Sequence, residues 1–364
     1  MFEIELEEAF GFLSAEYRSV FEASGATAFQ HPLWLDRLYG RLAPELAAEP
    51  VIITVRSAAT GRLEMVLPLM RRRHRGLRLI EFADLRVSDY AWPVCDETTF
   101  SAVLNDRRTS ARIRELLRPY DIVRIKKIPD QAPSLERLFG TYRRELMGPN
   151  AHASPLSDSF ESWQAGAMPP SYAGELQRKR RRLSRDGALT FERVQDPAAI
   201  DEALRRLREW RAERFPGDVL QEERYFDFYR EIALAGAENG FSRTYKLALD
   251  NCTIAVIWGL HDRKKFLMLM AGFDFANYGR RSIGALAFQD LARDCIAAGD
   301  DVLDFTIGDE SYKRLFGARP SPLRIISISG TPLGLIANSV IARPAPSGAA
   351  GRPDRGDEVA AMPG

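Results

Sequence analysis

Short apolar runs broken by polar turn residues recur through the first third of the chain, a pattern typical of β-strands. Segment 51–73, "VIITVRSAATGRLEMVLPLMRRR", predicts two strands joined by a turn at Thr60-Gly61, and therefore a hairpin. The remaining elements predicted here are strands over 77–83 and 120–128 and helices near 110–118 and 133–147. The first region therefore places a β-meander between helices.

The same organisation returns after segment 147–159, which is rich in Pro, Ser, Gly and Asn and predicts a domain boundary. Segment 241–273 predicts three antiparallel strands with tight turns at Asp250-Asn251 and Asp262-Arg263. The elements predicted around it are helices at 160–185, 197–214, 222–239, 281–298 and 311–317 and strands at 188–194, 302–308 and 323–329. We therefore expect an α+β fold of two domains, each with a mixed, mostly antiparallel sheet flanked by helices. The predicted domains are 1–150 and 159–335, followed by a Pro/Gly/Ala-rich tail, 340–364, predicted to be disordered.

Composition restricts the partners. Lys and Arg (51) balance Asp and Glu (50), which disfavours a nucleic-acid partner and makes any basic feature local. The three cysteines and four histidines show no metal-ligand or disulfide spacing, so we expect no metal and buried, reduced thiols. The acidic N-terminus is not a signal peptide, and no apolar stretch is long enough to span a bilayer. These observations predict a cytoplasmic protein and leave its oligomeric state open.

The loop "NYGRRSIGALAF" (277–288) follows a predicted strand and opens a helix. Unpaired amides at a helix N-terminus bind phosphate, Gly284 permits close backbone approach, and Arg280 and Arg281 add charged donors. The alternative is a polar turn capped by Ser282. The loop is therefore one of two candidate anion sites.

The other is the basic run "QRKRRRLSR" (177–185), in which six of the eight residues from Arg178 to Arg185 are basic. Helical spacing places Arg178, Arg181, Arg182 and Arg185 on one side. This side is either a solvated face or a surface for CoA phosphates, an acidic glycan or RNA.

Segment 301–318, "DVLDFTIGDESYKRLFGA", concentrates ionisable groups where a strand passes into a short helix. Asp304 interrupts the apolar run on the face opposite Leu303 and Phe305, and a carboxylate on a half-buried face requires a partner. Asp309 either complements the helix dipole or takes part in chemistry, and Tyr312 is close enough in sequence to reach the same pocket.

In the first half, "VSDYAWP" (87–93) places Asp89 and Tyr90 after a strand, where they line a substrate cleft or form a packed aromatic turn. His261, at the end of a predicted strand, is a further candidate general base.

The elements of the second half resemble the acyl-CoA core of the GNAT acyltransferase superfamily: three antiparallel strands, a phosphate-binding helix, a strand and "Y-x-x-x-F-G". In that family an Arg/Gln-x-x-Gly-x-Gly/Ala loop binds the CoA pyrophosphate. Here the loop matches at Arg281 and Gly284 but has Leu286 at the last position. The resemblance implies that Tyr312 protonates the departing CoA thiolate. It also implies a cofactor-binding segment made of Arg280, Arg281, Ser282, Ile283, Gly284, Ala285 and Leu286.

More narrowly, residues 29 to about 330 resemble the CelD-like branch of GNATs, which is associated with bacterial cellulose and exopolysaccharide biosynthesis. The matching segments are "LPLMRRR", "SDYAWP", "RKRRRLSRDGALTFE", "FDFANYGRRSIG" and "DFTIGDESYKRLFG". That branch is built like the Fem peptidyltransferases, so the resemblance implies two GNAT-like halves.

The activity implied is that of an acyl-CoA-dependent N- or O-acyltransferase using acetyl-CoA, with a small-molecule or glycan acceptor such as a sugar or exopolysaccharide precursor. Asp304 or Asp309 is expected near the acceptor, Tyr312 as the acid, and Lys313 bound to an anionic group or a neighbouring carboxylate. Asp89 and Tyr90 are expected to shape the acceptor cleft. The alternatives are a Fem-like aminoacyl-tRNA-dependent transferase, whose basic run contacts RNA, and a non-catalytic GNAT-fold accessory of polysaccharide synthesis.

Overall fold

The computed structural model describes residues 2–140, 142–215 and 217–341, apart from the side chains of residues 340 and 341. The strands of this part are β1 (Phe2–Glu7), β2 (Glu49–Ser57), β3 (Leu63–His74), β4 (Leu77–Phe82), β5 (Ile122–Pro129), β6 (Arg143–Leu146), β7 (Ala151–Pro155), β8 (Leu189–Val194), β9 (Ser242–Leu249), β10 (Cys252–Asp262), β11 (Lys265–Phe273), β12 (Val302–Ile307), β13 (Arg319–Ser321) and β14 (Leu323–Ser329). The α-helices are α1 (Ala15–Ala23), α2 (Pro32–Arg37), α3 (Ala43–Glu45), α4 (Glu97–Asn105), α5 (Arg107–Leu116), α6 (Glu136–Phe139), α7 (Phe160–Ala167), α8 (Pro170–Leu183), α9 (Pro197–Ala212), α10 (Glu223–Glu238), α11 (Phe275–Tyr278), α12 (Ile283–Ala297), α13 (Ser311–Leu315) and α14 (Pro332–Ile341).

The described chain forms two compact units, each built on one seven-stranded sheet. Unit 1 contains residues 2–148 and 322–341, and unit 2 contains residues 149–321. The predicted α+β class, with mixed and mostly antiparallel sheets flanked by helices, is confirmed in both.

The sheet of unit 1 has the order β1-β2-β3-β4-β5-β14-β6 and is antiparallel except for the β4–β5 pair. The predicted hairpin is confirmed, with Val51 opposite Leu69 and Val55 opposite Met65. These four side chains are fully buried and form part of the core of unit 1. The hairpin therefore supplies the apolar face on which the helices pack.

The C-terminal part of unit 1 differs from the sequence prediction. The helix predicted over 133–147 is wrong: α6 is a single turn and is followed by the edge strand β6. The strand near 323–329, predicted in the second half, lies in the first sheet between β5 and β6. Arg324 explains why this strand joins the first sheet. Its side chain is buried (3% exposed) and donates hydrogen bonds to the Glu136 carboxylate at 3.2 Å and to two carbonyls between β5 and α6 at 3.0 Å. A buried guanidinium requires such partners, and unit 1 provides them.

The sheet of unit 2 has the order β13-β7-β12-β11-β10-β9-β8. Its three predicted strands over 241–273 are confirmed as the meander β9–β10–β11, with the tight turn at Asp250 and Asn251 in the left-handed region. β11 and β12 are parallel and are connected through α12, which the sequence predicts correctly and which ends just before Gly299 (φ 80°).

The predicted boundary segment 147–159 contains a strand, because β7 pairs with β12 on one side and β13 on the other. Ala153 lies opposite both Asp304 and Arg319. The neighbouring polar side chains His152 and Ser154 are 1% and 0% exposed.

The predicted tail, 340–364, lies outside the described residues from 342 onward. Cys95 and Cys295 are buried as expected, but Cys252 is exposed because it opens β10 at a turn. Within the described ranges, no three or more His, Cys, Asp or Glu side chains are grouped to hold a metal ion. Over the same part of the chain, every helix is too short or too polar to cross a membrane.

Candidate functional site

The parallel strands β11 and β12 separate half-way along the sheet of unit 2. They pair over only three positions, from Lys265 opposite Val302 to Leu267 opposite Asp304. β11 then continues to Phe273, paired with β10, while β12 continues along β7. The separation opens the sheet at the carboxyl ends of its parallel pair, where ligands of α/β sheets commonly bind.

The predicted phosphate loop lies at this opening. A one-turn 3-10 helix, Gly279–Arg281, leads to Ser282 in the left-handed conformation (φ 52°), and α12 starts at Ile283. Lys179 of α8 donates a hydrogen bond to Ser282 Oγ at 2.7 Å, which holds this turn from outside. The first amides of α12 have no partner within the helix and carry the positive end of its dipole.

The loop and the basic run, which are about 100 residues apart in sequence, are neighbours in unit 2. Arg180 of α8 forms an ion pair with Asp290 at 2.7 Å and donates to the Leu286 carbonyl at 3.3 Å. Arg281 forms an ion pair with Asp186 at 2.7 Å, just after α8. The arginine side, predicted to be either a solvated face or an anion-binding surface, is exposed; it comprises Arg178, Arg181, Arg182 and Arg185.

The side chains of the first turn of α12 are buried, so this turn can offer a ligand only its backbone. Close packing also favours a glycine at position 284, because a Cβ on Gly284 would lie 3.1 Å from the ring of Phe273. In the predicted cofactor segment, the side chain of Arg280 is exposed and that of Arg281 is half-buried.

The end of β12 is kinked at Thr306, a β-branched residue held at φ 54°. Asp304, 3% exposed, accepts a hydrogen bond from the Thr306 amide at 2.8 Å. Lys313, 2% exposed, donates to the Gly308 carbonyl at 3.0 Å and pairs with Glu310 at 2.9 Å. Of the two roles predicted for Lys313, the structure thus shows the pairing with a neighbouring carboxylate. These contacts hold a strained turn in one conformation, as is common near functional sites.

Asp309 connects the turn that follows β12 to His152 of β7. Its carboxylate accepts hydrogen bonds from His152 Nε2 at 2.9 Å and from the Asn150 side chain at 3.0 Å, and 43% of its side chain stays exposed. Partial burial opposes ionisation, but these hydrogen bonds outweigh it and lower the pKa of Asp309. The histidine was not singled out from sequence because it sits in a stretch that predicts a linker.

Tyr312, on α13, is presented by this turn. Its ring stacks on Phe288 of α12, with centroids 5.2 Å apart, and meets the edge of Phe305 of β12 at 6.2 Å. Burial raises the pKa of Tyr312 well above its usual range, and the nearby Glu310 adds to the effect. Among the described residues its hydroxyl has no hydrogen-bond partner. The phenol is thus neutral, fixed in place and able to donate a proton.

A cavity of about 800 Å³ lies between α9 and the segment 273–280 that leads to α12. Its wall residue Phe273 packs 5.7 Å from Phe288, the ring on which Tyr312 stacks, so two aromatic contacts link the wall to the tyrosine. Its wall contains Arg206, Glu209 and Trp210 of α9, together with Glu213 and Arg214, which follow the end of the helix. This wall was not predicted from sequence, where its signal is a tryptophan within an otherwise charged helical repeat.

The residues predicted for the acceptor cleft lie in unit 1, in a packed turn. Tyr90 is 7% exposed, packs edge-on against Phe29 at 5.7 Å, and its carbonyl accepts from Gln30 at 2.9 Å. Asp89 lies 3.9 Å from the Lys127 ammonium. His261 is 2.9 Å from the buried Asp300, next to the start of β11 and so at the opposite end of that strand from the opening.

Residues 170–314 match the family model of the acetyltransferase (GNAT) domain. The match spans α8 to α13, and therefore contains the basic run, the α12 loop and Tyr312. It supports acyl transfer as the general class of reaction for this segment.

Solved structures extend the likeness to the whole chain. FemX, 11% identical, aligns with a TM-score of 0.60 over 94% of this chain and 100% of its own. The C-terminal domain of a lysylphosphatidylglycerol synthetase from Agrobacterium fabrum, 14% identical, aligns at 0.55 over 90% and 96%. L-PGS from Bacillus licheniformis, 12% identical, aligns at 0.54 over 92% and 97%.

At these identities the likeness concerns the fold, and it confirms the prediction of two GNAT-like halves. A comparison with curated proteins produced no match.

Proposed function

We propose that this chain is a cytoplasmic acyltransferase that moves an acyl group, foremost acetyl, from acyl-CoA to an amine or hydroxyl. The observation that carries the proposal is the position of Tyr312: its ring packs against Phe288 of α12 and Phe305 of β12, the two elements that follow the candidate phosphate loop. The CelD-like resemblance supports a sugar or an exopolysaccharide precursor as the acceptor.

In this proposal the CoA pyrophosphate binds the first amides of α12, with Arg280 and Arg281 as charged partners. The thioester lies in the opening, the acceptor attacks its carbonyl, the new C–N or C–O bond forms and the C–S bond breaks. Tyr312 gives its proton to the departing thiolate. Asp309 is the proposed proton acceptor, because its carboxylate is ionised and 43% exposed, while Asp304 acts on the turn through Thr306.

The acceptor is proposed to occupy the α9 cavity. Trp210 is half-buried there, and its indole N–H has no partner among the described residues. Glu209 of α9 and Glu213, the residue after the helix, line the same cavity. An aromatic face beside carboxylates suits a sugar, whose C–H surface packs on the ring while its hydroxyl or ammonium groups bind the acids.

Trp210→Ala is expected to raise the KM for the acceptor roughly 3- to 10-fold, because the aromatic contact is lost. The KM for acetyl-CoA should stay constant, which bisubstrate kinetics would show. Trp210→Phe keeps an aromatic face and serves as the matched control. An acceptor KM that is the same in all three proteins would place the acceptor elsewhere.

Acetyl-CoA at 100 times its Kd is expected to stabilise the protein by about 2.7 kcal/mol, measured as a thermal shift. Acetylpantetheine, which lacks the nucleotide phosphates, is the control for the α12 loop and should shift the transition less. Release of free CoA that depends on an added acceptor then establishes transfer. Stabilisation without release for any sugar or amine would favour a non-catalytic accessory protein.

The second candidate is a Fem-like transfer from aminoacyl-tRNA, which the exposed arginines of α8 beside the α12 loop favour. It predicts salt-dependent binding of aminoacyl-tRNA, with log affinity falling linearly with log salt concentration. Charge reversal at Arg178 and Arg182 would then weaken RNA binding and leave the acetyl-CoA thermal shift unchanged. Absence of RNA binding at low salt would remove this candidate.

A further inference from the structure

Helix α14 buries its small and polar residues against unit 1, whereas the helices of soluble proteins normally bury their apolar residues. Gly334 and Asn338, one turn apart, are buried: a Cβ at Gly334 would lie 1.9 Å from the Asp121 carbonyl oxygen. Asn338 donates a hydrogen bond to Ser329 Oγ at 2.8 Å. The inner face is therefore small and polar, and close packing fixes its orientation.

The outer face of α14 is apolar. Leu333, Leu335 and Ile336 are 56%, 62% and 64% exposed, and the helix sequence "PLGLIANSVI" carries no charged residue. Amphipathic helices of soluble proteins turn such residues inward. Contiguous exposed aliphatic side chains of this size usually mark a surface that binds a partner.

Asp121 links Arg78 to the start of this helix. Asp121 accepts the Thr331 hydroxyl at 3.0 Å and holds the Arg78 guanidinium in a bidentate pair, both contacts at 3.1 Å. Arg78 lies one residue pair from the turn of the β3–β4 hairpin, directly opposite Arg73, and the exposed tip of this hairpin carries Arg73 and Arg75.

The end of α5 joins the same region, because Arg71 of β3 donates to the Leu117 carbonyl at 3.3 Å and Arg118 follows on the surface. We call the exposed Arg73, Arg75 and Arg118 the basic rim; Arg78 is held by Asp121 and is not part of it.

We propose that α14 and the basic rim form a docking surface for an anionic lipid bilayer. A bilayer is a partner that uses both features: the aliphatic side chains enter the headgroup boundary while the arginines meet lipid phosphates. Nucleic acid would bind the arginines but leave the three aliphatic side chains in water.

Two other occupants fit less well. Residues 342–364 contain Val359 and Met362 as their only large aliphatic residues, so they bring little apolar surface to cover α14. A second copy docked through the same patch would bring one basic rim towards the other, which like charges disfavour. The near-neutral charge of the whole chain is compatible with the proposal, since the rim is local.

The test is flotation of the full chain with phosphatidylcholine vesicles with and without phosphatidylglycerol. We expect binding to the anionic vesicles only, weakening with salt. Leu335→Glu/Ile336→Glu should lower the partition coefficient about 10- to 100-fold, because two aliphatic insertions are lost. Leu13→Glu, at an apolar residue 48% exposed elsewhere on unit 1, is the matched control and should bind normally.

Arg73→Glu/Arg75→Glu should abolish the preference for anionic lipid, and circular dichroism would verify that each variant is folded. The proposal is overturned if the wild-type chain fails to float with anionic vesicles at low salt. Binding that survives the α14 substitutions overturns it as well. So does a concentration-dependent dimer that those substitutions abolish while no vesicles bind, since this would identify a second copy as the occupant.

Discussion

Tyr312→Phe is expected to lower kcat for acyl transfer roughly 10²–10⁴-fold, because the departing thiolate loses its proton donor. The substitution removes one oxygen and keeps the ring, so the contacts with Phe288 and Phe305 remain. Affinity for acyl-CoA and the melting temperature should therefore stay nearly constant. Stopped-flow or steady-state measurement of CoA release, paired with calorimetry of acetyl-CoA binding, separates the two quantities.

The control is Tyr172→Phe. Tyr172 is a half-buried tyrosine of the same unit that also packs edge-on against an aromatic ring, Phe316, and burial raises its pKa to about 12. It lies on α8 and has no proposed role, so its variant should retain wild-type turnover. An equal loss in both variants would indicate a packing effect, and an unchanged rate in Tyr312→Phe would exclude the acid role.

The pH profile provides a second readout. Since the pKa of Tyr312 is raised above its ordinary value of 10.0, the acid stays protonated through neutral pH. On the alkaline side of the profile, wild-type turnover should therefore decline only in strongly alkaline solution, and this decline should be missing from the slow residual activity of Tyr312→Phe.

The elements with strong local signals were predictable from sequence, and those fixed by distant partners were not. The meander over 241–273 has apolar runs and turn residues that specify strands without tertiary help. β7, in contrast, has the sequence "AHASP", which resembles a linker, and becomes a strand because β12 and β13 supply backbone partners on both sides. β14 has a clear strand sequence, but its sheet is decided by the partners of Arg324 in unit 1.

The candidate site shows the same division. The alternation along β12 indicated that Asp304 needs a partner, but the partner is the amide of Thr306, which depends on a kink that no pattern predicts. The order of helix and strand indicated Tyr312. The α9 cavity and the His152–Asp309 contact could not be predicted, because each joins segments more than 60 residues apart.

The largest loss of stability is expected from Asp300→Ala in unit 2. Asp300 and Arg243 are each 5% exposed and form a bidentate ion pair, with the longer contact at 3.2 Å. His261 adds a third group, 2.9 Å from the same carboxylate. Removing the carboxylate leaves a buried guanidinium without its counter-ion, which costs about 3–5 kcal/mol. For a unit of this size the melting temperature should fall by roughly 6–20 °C.

Asp301→Ala is the matched control, because the adjacent side chain is exposed and its substitution should stay within about 0.5 kcal/mol of wild type. Replacing both partners, Arg243→Leu/Asp300→Leu, should be less damaging than the sum of the two single changes, since no buried charge is left unpaired. Additive losses in urea unfolding would show that the pair is not coupled.

Acidification should reduce the difference between wild type and Asp300→Ala. Burial opposes ionisation of Asp300, but the contacts with His261 and Arg243 outweigh it and lower its pKa in the folded state. A carboxyl group with a lowered folded pKa stabilises the protein above the pKa of its unfolded form, about 3.9, and loses this contribution as the pH falls through the folded value. Urea unfolding from pH 7 down to pH 3 should therefore show wild-type stability falling towards that of the variant. A constant difference over this range would mean that Asp300 stabilises the unit by packing rather than by charge.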